Sequence, residues 1–307
     1  AALPVAAAIG GMLVPAAIYA ALNHGGVGAR GWGIPMATDI AFALGILALL
    51  GEGLPAGLRI LLAAIAIADD LGAVIVIAMF YTTNLVWGAL GGAALVMVVL
   101  VALNLAGVSR ATVYVAVGIV LWLFVLLSGV HATIAGVLLA FVIPARARTR
   151  DVPRAALLQR MEAALHAPVA FVIMPIFALA NAGIALGSAL ATAVRSPIVL
   201  GVALGLLIGK PLGILGGSVT VVRCGAADLP AGVTWRHMHG MAWLGGIGFT
   251  MSLFIAGLAF SNAGQLETAK VGVLGASTLA GVSGFAILRR TIVKRSASDG
   301  NGDAETR

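Results

Sequence analysis

Ten apolar runs follow one another along this chain, at about 2–22, 33–50, 57–80, 85–105, 112–129, 130–143, 166–187, 197–222, 238–260 and 266–288. A helix needs roughly 20 apolar residues to cross the hydrocarbon core of a bilayer. The fifth and sixth runs meet at Ser128-Gly129, so their division rests on a single serine and glycine. A soluble protein covers its surface with about 25% charged residues, and here only 9% are charged against 61% apolar. Disorder requires the reverse balance, and a disulfide scaffold is excluded because Cys224 is the sole cysteine. Lipid tolerates no unpaired backbone, and the period is not that of a barrel, so the runs read as helices. The 41 glycines suit close helix packing in such a bundle. The expected fold is an all-α polytopic membrane protein of about ten transmembrane helices.

A net charge of +7 suggests a nucleic-acid binder only until the charges are placed, because they lie between the apolar runs. Ten crossings put both ends on one side. Fourteen Lys and Arg fall on that side, among them Arg146, Arg148, Arg150, Arg154, Arg160, Arg289 and Arg290. Three (Arg30, Arg195 and Lys270) fall on the other, which makes both ends cytoplasmic. Four parts are expected: six helices over 1–143, a basic cytoplasmic loop over 144–165, four helices over 166–288, and a disordered cytoplasmic tail over 289–307. The chain opens with Ala-Ala-Leu-Pro inside an apolar run, without a charged leader region, and reads as a piece of a longer protein.

Asp39, Asp69, Asp70 and Lys210 lie inside the apolar runs. Each costs at least about 2.5–3.5 kcal/mol at a helix centre, a penalty that points to use. The plainer alternative is a buried ion pair that fixes packing. Neighbours on a helix point about 100° apart, so of Asp69 and Asp70 one can face a water-filled cavity while the other turns to a neighbouring helix. Carboxylate oxygens suit hard cations, and a proton competes for the same oxygens. Lys210 precedes Pro211, whose ring frees the carbonyl of Leu207 and should bend the helix there. It is the base available to pair with one of the two aspartates.

Two runs look interrupted. In the second, Pro35 is followed by Thr38-Asp39, both good N-cap residues. In the ninth, Gly245, Gly246 and Gly248 precede Phe249-Thr250. Each taken alone reads equally as packing glycine. Together they suggest unwound segments whose half-helix ends carry partial charges, offset by Asp39 and Lys210. Broken segments in corresponding halves are the pointer to a midplane transport site. The repeats would be 1–80 and 197–288, in inverted orientation.

Ala37-Thr38-Asp39-Ile40-Ala41-Phe42-Ala43-Leu44-Gly45, Ala68-Asp69-Asp70-Leu71-Gly72-Ala73, Ser128-Gly129-Val130-His131-Ala132-Thr133, Gly209-Lys210-Pro211-Leu212-Gly213 and Gly246-Ile247-Gly248-Phe249-Thr250-Met251-Ser252 resemble the bacterial Na+/H+ antiporter A family, in register over nearly the whole chain. The resemblance implies a twelve-helix fold with two discontinuous helices crossing at mid-membrane. It implies a pH-regulated secondary transporter, not an enzyme, of the bacterial inner membrane, expelling Na+ or Li+ for external H+ by alternating access, without a cofactor. Carried over, Asp70 is the principal cation and proton carboxylate, with Asp69 beside it as second ligand of the transported Na+ and able to pair with Lys210. Thr38, Asp39, Lys210, Gly248 and Thr250 belong to the crossing and its charge compensation. Family members have two further helices before Ala1, including acids at the cytoplasmic funnel and a dimer-forming hairpin, so a homodimer rests on a part this sequence lacks.

Glu162 and His166 stand four residues apart, a helical pair, where the family senses pH and where a histidine titrates in range. An ordinary interfacial pair explains them as well. His131 reads as a packing histidine. Trp32, Trp87 and Trp235 sit where interface anchors belong. Two other readings compete. An intramembrane aspartyl protease needs its aspartates on separate helices and a Gly-x-Gly-Asp pattern that is absent here. An organic-anion symporter of similar fold would prefer helix N-termini free of carboxylates.

Overall fold

The computed structural model describes residues 2–82, 85–145, 156–184 and 195–302. Among them every regular element is helical. Helix α1 (Ala2–Leu22) is followed by a 3₁₀ segment (Ala29–Met36), α2 (Ile40–Leu49), α3 (Ala56–Phe80), α4 (Trp87–Leu105), α5 (Ala111–Leu127) and α6 (Thr133–Val142). Then come α7 (Leu157–Pro168), α8 (Met174–Asn181), α9 (Pro197–Leu204), α10 (Lys210–Arg223), α11 (Trp235–Gly245), α12 (Phe249–Ala259) and α13 (Ala263–Gly302). Short π-helical turns, Val169–Ile173 and Gly205–Gly209, join α7 to α8 and α9 to α10.

Among the described residues seven helices are long and apolar enough to cross a membrane, and the bent pair α11–α12 makes an eighth. Helices α5 and α6 are apolar but shorter. They stand where the fifth and sixth runs were expected, and Gly129 separates them with a φ of 83°, which a residue with a side chain rarely adopts.

Two compact units divide the chain, Ala1–Ala73 with Ala178–Arg307, and Val74–Phe177. In the first, α1 lies along α10 with almost no side chain between them. A Cβ on Gly213 would stand 2.1 Å from the carbonyl oxygen of Gly10, and one on Gly217 as close to that of Ala6. In lipid, where apolar surface gains nothing by being hidden from the solvent, such close packing is what joins helices. Leu58, Leu62, Met238, Leu244 and Leu288 form a buried core around it. In the second unit α4, α5 and α6 pack around Leu100, Tyr114 and Leu121.

Two expectations are corrected. The seventh span begins at Leu157, not 166, so part of the expected loop is helix. Leu-Leu-Gln-Arg-Met-Glu-Ala-Ala-Leu is a strongly helix-forming run, and the Gln159 side chain closes its start by accepting from Ala156 N at 3.3 Å. The last helix continues to Gly302, past Arg289, where a disordered tail was expected. Arg146, Arg148, Arg150, Arg154 and Arg307 lie outside the described residues.

Candidate functional site

The 3₁₀ segment ends at Met36, and α2 starts only at Ile40. Between them Ala37 and Asp39 are extended. Asp39 is the N-cap of α2, its Oδ1 accepting from Phe42 N at 3.1 Å, as a short acid at a helix start should. Thr38, the other candidate cap, turns instead to the second break.

That second break is Gly246–Gly248, where α11 and α12 meet at 41°. The two breaks hold each other. Asp39 N donates to Ile247 O at 2.6 Å, and Thr38 Oγ1 to Gly245 O at 2.8 Å, taking up a carbonyl at the end of α11. Asp39 Oδ2 accepts from Thr250 N at 3.0 Å and from Thr250 Oγ1. One carboxylate thus faces the N-termini of both α2 and α12, the positive ends of their dipoles. Ser252 Oγ donates to Ile34 O at 2.7 Å. Ser277 Oγ, from α13, accepts from Gly248 N at 3.2 Å and Phe249 N at 3.0 Å. A Cβ on Gly248 would stand 2.1 Å from Ser252 Oγ, so a side chain there would displace the hydroxyl that bonds Ile34 O.

Lys210 enters from the start of α10. Its Nζ donates to Met36 O, the negative end of the 3₁₀ segment, and to Asp69 Oδ2 at 2.6 Å. Both side chains of this ion pair are 1% exposed. Around Pro211 the span Pro197–Arg223 stays continuous. The π turn Gly205–Gly209 absorbs the lost hydrogen bond and sets Lys210 toward the break. Thr38 lies beside Asp69. Asp70 is half-buried, one residue further along α3, within electrostatic reach of Asp69, Lys210 and Asp39. Two carboxylate oxygens, Asp69 Oδ1 and Asp70 Oδ1, are buried with no hydrogen-bond partner among the described residues.

Unsatisfied buried carboxylate oxygens are costly unless something else fills their lone pairs. A proton does so, and so does a hard cation. Among the described residues no three His, Cys, Asp or Glu side chains gather as a tightly held metal would require. Two carboxylates, one already neutralised by a lysine, suit an ion that arrives and leaves.

All seven residues expected at the crossing and its carboxylates (Thr38, Asp39, Asp69, Asp70, Lys210, Gly248 and Thr250) fall within the first unit. Glu162 and His166 belong to the second unit, both exposed on α7, and no ion pair joins the two among the described residues. Sequence reasoning missed Ser277 and gave Ser252, the last residue of the Gly246–Ser252 motif, no role of its own. A serine in an apolar run carries little signal, because most such hydroxyls bond a carbonyl of their own helix.

A family model described as Na+/H+ antiporter 1 matches residues 1–288. A Na+/H+ antiporter NhaA from Oleidesulfovibrio alaskensis is 47% identical over 330 residues, covering 94% of this chain and 73% of the relative. A Na+/H+ antiporter NhaA 2 from Flavobacterium johnsoniae is 50% identical, covering 94% and 70%. Another from Novosphingobium aromaticivorans is 52% identical, covering 94% and 73%.

Proposed function

The chain belongs to the Na+/H+ antiporter 1 family, and from that premise we propose how its buried charges exchange the two ions. It is a multi-pass membrane Na+/H+ antiporter, a secondary transporter and not an enzyme. Asp70 is the principal carboxylate, taking either Na+ (or Li+) or a proton, never both. Asp69 is the second ligand and is held by Lys210 while the site is empty of cation. A cation arriving from the cytoplasm displaces the proton. Once the site opens to the other side, a proton displaces the cation, so each binding event releases the other ion.

Thr38, Asp39, Gly248 and Thr250 keep two unwound segments in place at the midplane, with Asp39 on the positive helix ends and Lys210 on a negative one. The surrounding fold is ten crossings with inverted repeats over 1–80 and 197–288, in the bacterial inner membrane with both ends cytoplasmic. Glu162 and His166 adjust the pH range.

The observation that carries this reading is the division of labour between the two aspartates. Lys210 neutralises Asp69 at 2.6 Å, while Asp70 Oδ1 has no hydrogen-bond partner among the described residues. An aspartyl protease would need two carboxylates sharing a proton from separate helices, but both here are on α3 and one is engaged by a lysine. In proteoliposomes, Asp70→Asn should abolish Na+-dependent collapse of a proton gradient while leaving insertion intact. Exchange at a comparable rate by Asp70→Asn would overturn the assignment.

A further inference from the structure

Three backbone N–H groups at the start of α12, those of Gly248, Phe249 and Thr250, point into the crossing with no partner in their own helix, as at any helix start. Asp39 cannot take all three. Its Oδ1 accepts from Phe42 N at 3.1 Å, and its Oδ2 from Thr250 N at 3.0 Å and from the Thr250 hydroxyl. Ser277 Oγ takes the remaining two, at 3.2 and 3.0 Å. Ser277 is 6% exposed and belongs to α13, which packs against both α11 and α12.

We propose that Ser277 is a positioning residue for ion exchange: it holds the N-terminus of α12 so that Asp39 can serve the starts of α2 and α12 together. The inference rests on the Asp69–Asp70 exchange site proposed above. Without the Ser277 oxygen, two polarised N–H groups face the crossing unpaired, and Asp39, already bonded to the neighbouring Thr250 N, is drawn toward them. Its bonds to Phe42 N and Thr250 would loosen. The positive potential at the crossing would be less well balanced by acceptors. Asp69, Asp70 and Lys210 face the same region, so a cation would bind less well there. The hydroxyl acts on binding through Asp39 and touches no ion itself.

The test is Na+/H+ exchange in proteoliposomes by wild type, Ser277→Ala and Ser277→Thr at one alkaline pH. Losing hydrogen bonds of this kind should raise the apparent KM for Na+ by about three- to tenfold. The maximal rate per folded transporter should stay close to wild type. Ser277→Thr keeps the oxygen and should return KM toward the wild-type value. If the alanine variant does not insert, Ser277→Cys, a weaker acceptor, should show a smaller rise in KM. A wild-type KM in the alanine or cysteine variant would overturn the proposal, as would a rise that threonine does not reverse. Asp70→Asn in the same vesicles tests the exchange site separately: exchange by that variant would overturn the Asp69–Asp70 reading whatever the Ser277 variants show.

Discussion

Lys210 balances two negative groups at once: the full charge of the Asp69 carboxylate and the partial charge at the carbonyl end of the 3₁₀ segment, Met36. Breaking a buried pair from one side costs about 3–5 kcal/mol, because the remaining charge has no water to return to. Lys210→Ala should therefore lower the melting temperature of the purified protein. Without the lysine, the ionised form of the aspartates is less favoured. Exchange, which needs them ionised to admit Na+, should then require a higher pH. Unchanged melting together with an unchanged pH profile would show that the pair does no more than fill space. At this scale the sequence was informative where a residue was expensive. Asp39, Asp69, Asp70 and Lys210 stood out because a charge in an apolar run must be used. Ser277 and Ser252 did not, because nearby hydroxyls such as Ser218 and Thr278 merely bond carbonyls four residues back.

The elements tell a similar story about what a pattern can reveal. Both broken helices were legible, from Pro35 with Thr38-Asp39 and from the glycines before Phe249. The π turn before Lys210 was not, since a proline in mid-helix announces a lost hydrogen bond without saying how the chain absorbs it. The start of α7 was misplaced because charge density argued for a loop, whereas intrinsic helix preference and the Gln159 cap decided the outcome. The meeting of α1 and α10 yields a sharp contrast between neighbouring glycines. Gly213→Ala would drive a methyl group against the backbone of Gly10, whereas Gly216 on the same helix has open space around its Cβ position. Gly213→Ala should separate the helices and lower the melting temperature by several degrees. Gly216→Ala should leave it unchanged or raised, alanine being better than glycine in a helix by about 1 kcal/mol. Thermal unfolding of the two variants in one detergent checks this directly, and equal melting temperatures would contradict the close approach.

Over the whole molecule, the apolar runs made an all-helical chain with several membrane-crossing helices legible, because the thickness of a bilayer sets how long such runs are. The division into two compact units was not legible, since no linker composition marks it and α3 passes through the boundary. The central claim is that Na+ and H+ compete for the same two carboxylates on α3. Its most direct measurement is the apparent KM for Na+ between about pH 6.5 and 9, in proteoliposomes containing the protein. Where one proton is displaced per cation bound, KM should fall up to tenfold per pH unit and level off once the carboxylates are ionised. A KM that stays constant over that range would mean separate sites for the two ions, and would contradict single-site exchange at Asp69 and Asp70.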